Sequence, residues 1–318
     1  SHNPSTLRLS CMAPSLHQIP RADDGLGRLV KEFFVAPPGY IFVEADYAGI
    51  EAVLVGYFAR SERYRRLARL GVHDFVNAHA LYHLDHCIPA TDLPRLEMSD
   101  EELAGVLQEF KQKFPKQRQT RKRMVHARNY LAGWKELQSV ILKEQHQVLA
   151  AKDIKKFLAF YDELFPEIGV WQTNLIKVVG GIEEADSSSI APAEAGRGWV
   201  KNPYGYLHRY NRVVEWERVG GKWQWKPGMD AKRLVANLPQ STAAGIGKEA
   251  ALRAAKDEEL LDTLRLFIHD SFVAEMRRER EEELSCRLAC VMMQPNAEVG
   301  GLTVGVEVKR GKTWASVK

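Results

Sequence analysis

Paired cysteines are missing from this chain. Its four cysteines, Cys11, Cys87, Cys286 and Cys290, form no CxxC pattern, so neither a cysteine metal cluster nor a disulfide framework is the ordinary reading. Cys286 and Cys290 lie four apart on an expected helix and read as small buried side chains in a reducing compartment. Long apolar runs are also lacking; none approaches the length of a membrane span. The first residues, Ser1-His2-Asn3-Pro4, lack the apolar core of a signal peptide. These absences point to the cytoplasm and away from a membrane partner. Strong net charge is missing too: +4 overall permits a nucleic-acid partner without demanding one. The 318 residues suffice for one or two cored domains.

Two stretches share one build. Tyr40-Ile41-Phe42-Val43 is a short apolar run suited to a buried strand, and Glu44-Ala45-Asp46-Tyr47-Ala48-Gly49-Ile50-Glu51 follows it. Leu264-Arg265-Leu266-Phe267-Ile268, then His269-Asp270, then Ser271-Phe272-Val273-Ala274 reads as strand, acidic turn, strand. Each carries one aspartate to a strand end. Such a pair suits two divalent metal ions holding the attacking and leaving oxygens of a phosphoryl transfer.

Between them the chain reads as mostly helical. Residues 28–35 and 40–45 are expected as strands around Pro37-Pro38-Gly39, and 49–70 as one helix. That helix carries Arg60, Arg63, Arg65, Arg66 and Arg69 on a solvated or phosphate-facing side. His79 and His83 share a helix face, but no carboxylate completes a zinc pattern. Ser99 and Glu102 form a capping box, opening a helix with Leu103, Leu107, Phe110 and Phe114 on one side and Pro115 at its end. Arg118, Lys122, His126 and Tyr130 recur every fourth residue; each step drifts by about 40°, so they form one shallow stripe. That stripe suits a triphosphate at its basic end and a base against its ring, and equally suits a solvated basic helix. Residues 137–165 and 168–179 are expected as helices and 183–198 as a loop. A β-hairpin is expected around Gly220-Gly221, its Trp216, Trp223 and Trp225 favouring packing over base stacking. A helix over 232–256, the aspartate hairpin, a helix over 281–293 and an edge-like strand over 302–308 complete the chain.

In this order the motifs resemble the family A DNA polymerases, bacterial repair polymerases and bacteriophage replicases among them. Arg8-Leu9-Ser10 with Pro14, Leu16, Ile19 and Pro20 is similar to the family's RLS–P–L–IP segment. Asp46-Tyr47-Ala48-Gly49-Ile50-Glu51 looks like motif A, and Arg118, Lys122 and Tyr130 fit motif B. Pro239-Gln240-Ser241-Thr242-Ala243-Ala244 resembles the QGTAA segment, and His269-Asp270 is similar to motif C. The resemblance runs from about Arg8 to Trp314.

It implies an α+β right-hand fold, an antiparallel-sheet palm with helical fingers and no thumb or exonuclease domain. Residues 1–66 and 232–318 would form the palm and 67–231 the fingers. It implies template-directed addition of dNTPs to a primer 3′-OH, with two Mg²⁺ ions (Mn²⁺ as substitute) on Asp46, Asp270 and the Tyr47 backbone carbonyl. Arg118 and Lys122 would grip the triphosphate, His126 would meet the sugar, Glu51 would crowd the ribose 2′ position, and Tyr130 would lie near the templating base. Arg8, Gln240 and His269 would touch the primer–template. Primer–template DNA is the implied partner, with a separate thumb, exonuclease or processivity subunit, in bacterial or phage-infected cytoplasm. A natural minimal enzyme, a split-polymerase subunit and a trimmed piece all fit. The chain departs from the pattern at His126, usually Phe or Tyr; at Ser271, usually Glu; at Ala52-Val53, usually Leu-Arg; at Ser241, usually Gly; and at Leu131, where a glycine follows the tyrosine. Residues 84–115 resemble an insertion. A single-subunit RNA polymerase and a catalytically weak primer–template-binding subunit are the alternatives; Glu51 speaks against the first, and retention of both aspartates with Arg118 and Lys122 against the second.

Overall fold

The computed structural model describes residues 16, 19, 25–145, 147–182 and 194–317. In chain order its elements begin α1 (Gly25–Glu32), β1 (Tyr40–Tyr47), α2 (Ile50–Phe58), α3 (Glu62–Leu70), α4 (Val72–His83), α5 (Asp100–Lys113) and α6 (Pro115–Asn129). There follow α7 (Trp134–Gln145), α8 (Ala151–Leu164), α9 (Pro166–Gly180), β2 (Glu194–Gly196), β3 (Trp199–Lys201), β4 (Leu207–Arg209), β5 (Val214–Val219) and β6 (Lys222–Pro227). The last are α10 (Ala231–Ala254), α11 (Glu258–Thr263), β7 (Leu264–Ile268), β8 (Ser271–Arg277), α12 (Glu281–Met292) and β9 (Val306–Gly311). The chain divides into two compact units, 1–50 with 240–318, and 51–239.

The first unit is built on a four-stranded antiparallel sheet in the order β7-β8-β1-β9. β1 is interior because its sequence suits both faces: Val43, Ala45 and Tyr47 are buried on one side and Phe42 on the other. α12 packs on this sheet through Leu284, Leu288 and Met292. On the Phe42 side, Ala36, Val273 and Trp314 form a second small core. β9 is the edge strand the C-terminal alternation predicts, although it starts at Val306.

α1 corrects an expectation. Residues 28–35 read as a strand, yet Gly25–Glu32 is helical. The segment carries an Arg28–Glu32 ion pair at 3.0 Å across one turn, while Leu26 and Leu29 stay exposed. Only Val35 has strand character, in an isolated bridge to Thr313.

The second unit is a helical body bearing two small sheets, β2-β3-β4 and the ribbon β5-β6. The expected 49–70 helix is broken at residues 59–61, where Arg60 takes a left-handed φ of 51°. Ser61 then caps α3, its Oγ accepting from the Tyr64 amide at 3.1 Å. Two arginines of this region, Arg63 and Arg66, tie helices together, whereas Arg60 and Arg69 are exposed as the solvated reading expects. Arg63 binds Glu167 and the Leu164 carbonyl. Arg66 binds Asp100 and the carbonyls of Leu96 and Met98, fastening the 88–98 segment to the start of α5. The Ser99–Glu102 capping box forms as expected. Pro115 ends α5 and also opens α6, at a position where its missing amide costs nothing. The expected 137–165 helix is two, α7 and α8.

α6 is held among α4, α5, α7 and α8. Its buried face carries Met124 and Val125 and ends in Asn129. Asn129 Nδ2 donates to Tyr64 Oη at 2.9 Å, and Tyr161 Oη donates to Asn129 Oδ1 at 2.7 Å. The two phenol oxygens lie 3.2 Å apart, closing a buried triangle. Gln172 Nε2 donates to the carbonyls of Arg128 and Asn129, satisfying groups the helix end would leave open.

Candidate active-site constellations

Asp46 is the penultimate residue of β1, and Asp270 lies in the two-residue turn joining β7 to β8. The β1–β8 register pairs Asp46 with Ser271, so the turn bearing Asp270 lies at the end of β1. The Tyr47 amide donates to the Asp270 carbonyl at 3.3 Å and fixes this junction. His269 makes the turn by adopting φ 57°, a conformation histidine tolerates better than bulkier residues. Strand alternation directs the Tyr47 side chain away from Asp46. Its hydroxyl donates to the Met292 carbonyl at 2.9 Å, and burial raises its pKa strongly.

The Asp46 carboxyl is pushed up to about 7, first by burial and then by the negative charge of Asp270. Glu44 and Glu307 push the same way and Lys309 partly offsets them. Two hard oxygen donors, crowded enough to resist joint ionisation, suit a divalent cation that relieves the repulsion. The side-chain set stops at two: no cluster of three His, Cys, Asp or Glu exists among the described residues.

The second constellation lies on α6, within the other unit. Lys122, His126 and the capping residue Tyr130 follow Arg118 along the expected stripe. Tyr130 Oη donates to Glu51 Oε2 at 2.5 Å, and His126 Nε2 lies 3.7 Å from the same oxygen. The His126 and Tyr130 rings meet edge-to-face at 5.0 Å. Leu131 follows at φ 63°, in the left-handed region that explains a glycine in the family pattern.

Arg118 has a partner that sequence reasoning missed. Its Nε and Nη2 donate to the two oxygens of buried Asp74, at 2.5 and 3.2 Å. Beside Asp74, His73 has Nδ1 buried without a hydrogen-bond partner among the described residues. Desolvation, then the charges of Lys122, Arg118 and His126, lower its pKa to about 3. The imidazole is thereby held neutral beside these cations. The signal available in sequence was the His-Asp pair opening α4, overshadowed by the His79–His83 spacing. His79 Nε2 instead pairs with the Pro94 carbonyl at 3.0 Å.

Gln240 lies within α10, beside the Pro239 that the helix accommodates. Arg8 and the rest of its segment fall outside the described residues. Cys286 and Cys290, on α12, are exposed rather than buried, and Cys87, in the segment after α4, is exposed too. Trp216 and Trp223 likewise depart from the packing expectation, at 55% and 67% exposure. No helix of the described residues is long and apolar enough to cross a membrane.

No protein-family profile matches the chain. It is 25% identical over 318 residues to the thermostable DNA polymerase I of Thermus filiformis, covering 99% of this chain and 32% of that protein. It is also 25% identical over 316 residues to the thermostable DNA polymerase I of Thermus aquaticus, again covering 99% and 32%. The chain therefore spans about a third of the length of these relatives. Its fold is similar to the POL domain of Pol1 from M. smegmatis in complex with DNA primer-template and dNTP, with a TM-score of 0.68 at 18% identity. That match covers 98% of this chain and 47% of the other.

Proposed function

From the relatedness of this chain, over 99% of its length, to family A DNA polymerases, we propose that it is a template-directed DNA polymerase. The primer 3′-OH would attack the α-phosphate of a bound dNTP and release pyrophosphate. The observation that carries this reading is the meeting of Asp46 and Asp270 at one end of the sheet, with Asp46 raised to about 7. We assign Asp46, Asp270 and the Tyr47 carbonyl as the holders of two Mg²⁺ ions. Bound there, the ions would supply charge stabilisation to the attacking and leaving oxygens.

The remaining roles belong to the protein's own groups. Arg118 and Lys122 bind the triphosphate, and Arg118 does so while sharing its fork with Asp74. His73, kept neutral by burial and by the neighbouring cations, leaves the positive charge of this region to Arg118 and Lys122. His126 stacks against the sugar. Glu51, held by Tyr130, crowds the 2′ position and selects deoxyribose. Tyr130 borders the templating base, and Gln240, His269 and Arg8 contact the primer–template. The palm is assigned to 1–66 and 232–318, the fingers to 67–231, and the reaction to the bacterial or phage-infected cytoplasm.

Primer extension tests this. The protein with Mg²⁺ and dNTPs is expected to extend a primed template, and Asp46→Asn and Asp270→Asn to abolish extension without lowering DNA binding. Equal extension by Asp270→Asn would overturn the metal assignment. A preference for rNTPs, or starting without a primer, would overturn the DNA polymerase reading.

A further inference from the structure

The ribbon β5-β6 displays an aromatic face. Its register pairs Val214 with Pro227, Trp216 with Trp225 and Arg218 with Trp223, so these six side chains share one side. Glu215, Glu217, Val219, Lys222, Gln224 and Lys226 occupy the other. Gly220 and Gly221, at φ 57° and 82°, close the ribbon in the tight turn that matches strand twist. At its base Val214 lies directly against Gly180 of α9, where no Cβ would fit. Lys177 of α9 places its ammonium 5.8 Å from the Trp225 ring centroid. The ribbon is therefore anchored at one end and presents Trp216 and Trp223 to solvent.

Charge is sorted between the two faces. Both glutamates lie opposite the tryptophans. Glu217 is bonded to Lys226 at 2.6 Å and Glu215 to Arg212 at 2.8 Å. On the tryptophan side the charged groups are Arg218, whose Nε donates to the Gly221 carbonyl at 3.3 Å, and Lys177. An aromatic surface flanked by cations, with no carboxylate among the ribbon residues on that face, complements a polyanion that offers flat rings. Trp216 and Trp223, diagonal neighbours across the ribbon, are offset by about 7 Å. This is about twice the 3.4 Å rise of stacked bases, so unstacked single strands match and duplex does not. Aliphatic side chains that would enter an acyl layer are lacking from the exposed part of this face.

We propose that the tryptophan face of β5-β6 is a stacking platform for single-stranded DNA, with Trp216 and Trp223 against bases and Arg218 and Lys177 toward phosphates. Naming the strand as template rests on the polymerase reading; the binding itself does not.

The test is fluorescence anisotropy with labelled oligo(dT) of about 20 nucleotides. Each stacked ring contributes roughly tenfold. The double variant Trp216→Ala, Trp223→Ala is expected to weaken binding at least tenfold, with duplex affinity and unfolding temperature kept. The double Trp→Phe variant is expected to retain most of the affinity, which separates lost stacking from lost fold. Intrinsic tryptophan fluorescence of the wild type is expected to quench on adding unlabelled oligo(dT). Unchanged oligo(dT) affinity in the alanine variant overturns the proposal. So does a variant that keeps oligo(dT) binding but loses binding to phosphatidylserine vesicles. Tryptophan-dependent binding without primer extension would sink the polymerase reading alone; extension with tryptophan-independent binding would sink the platform alone.

Discussion

Leu131 holds φ 63° immediately after the stripe of α6. A left-handed backbone costs a side chain with Cβ roughly 1–2 kcal/mol, and glycine's greater freedom when unfolded returns part of that. Leu131→Gly is therefore expected to be neutral or to stabilise by up to about 1 kcal/mol, read from urea unfolding. A loss larger than that would show that packing of the leucine outweighs the strain. His73 supplies a pH-dependent counterpart. Its pKa is lowered from 6.5 to about 3 in the folded chain, so between those values the unfolded chain binds a proton that the folded chain refuses. Stability then falls as pH drops from about 6.5 toward 3. His73→Gln is expected to flatten the unfolding temperature over pH 6.5–4 relative to wild type; parallel curves would remove His73 as a cause. Pyrophosphate is expected to raise the pKa of this imidazole, visible by NMR titration. At this scale the sequence showed which residues lie on the stripe, because helical spacing is local. It did not show Asp74 gripping Arg118 from 44 positions away, since that contact exists only after α4 packs on α6.

The end of α6 shows what an element needs beyond its own periodicity. The Tyr64–Asn129–Tyr161 triangle draws from α3, α6 and α8. All three residues are buried. Tyr161→Phe would leave buried Asn129 Oδ1 without its 2.7 Å donor, at a cost of about 2–3 kcal/mol. Since Asn129 immediately precedes Tyr130, the variant is also expected to raise the KM for dNTP more than it lowers kcat. An unchanged KM would confine the triangle to stability. Element identity was legible where one period dominated: the capping box of α5, the Gly-Gly hairpin and the aspartate hairpin all form as read. It failed at α1, where a short segment carries both periods and the helix gains an Arg28–Glu32 pair across one turn. It failed also for Arg63 and Arg66 of α3, whose partners Glu167 and Asp100 belong to other helices.

For the molecule as a whole, the ordering constraint is that β1 lies between strands made more than 200 residues later: β8 on one side and β9 on the other. The sheet that carries Asp46 therefore depends on the end of the chain, whereas helices α3–α9 close among themselves within 51–239. Contacts so distant in sequence pay a large closure entropy and form late. Removing residues 306–318 deletes β9 and Trp314, which is 6% exposed and packs with Ala36, Phe42 and Val273. A buried tryptophan of about 200 Å² contributes about 5 kcal/mol, comparable with the whole stability of a marginal domain. The shortened chain 1–305 is expected to keep most of its far-ultraviolet helical signal. Any Mg²⁺-dependent rise in unfolding temperature is expected to disappear, because β1 loses the partner that pairs Asp46 with Glu307. Pulsed hydrogen exchange on the intact protein is expected to protect α4, α6 and α8 before β1. Simultaneous protection, or collapse of the helical signal on truncation, would mean that the two units fold as one and that the helical unit needs the sheet to hold the α6 stripe in place.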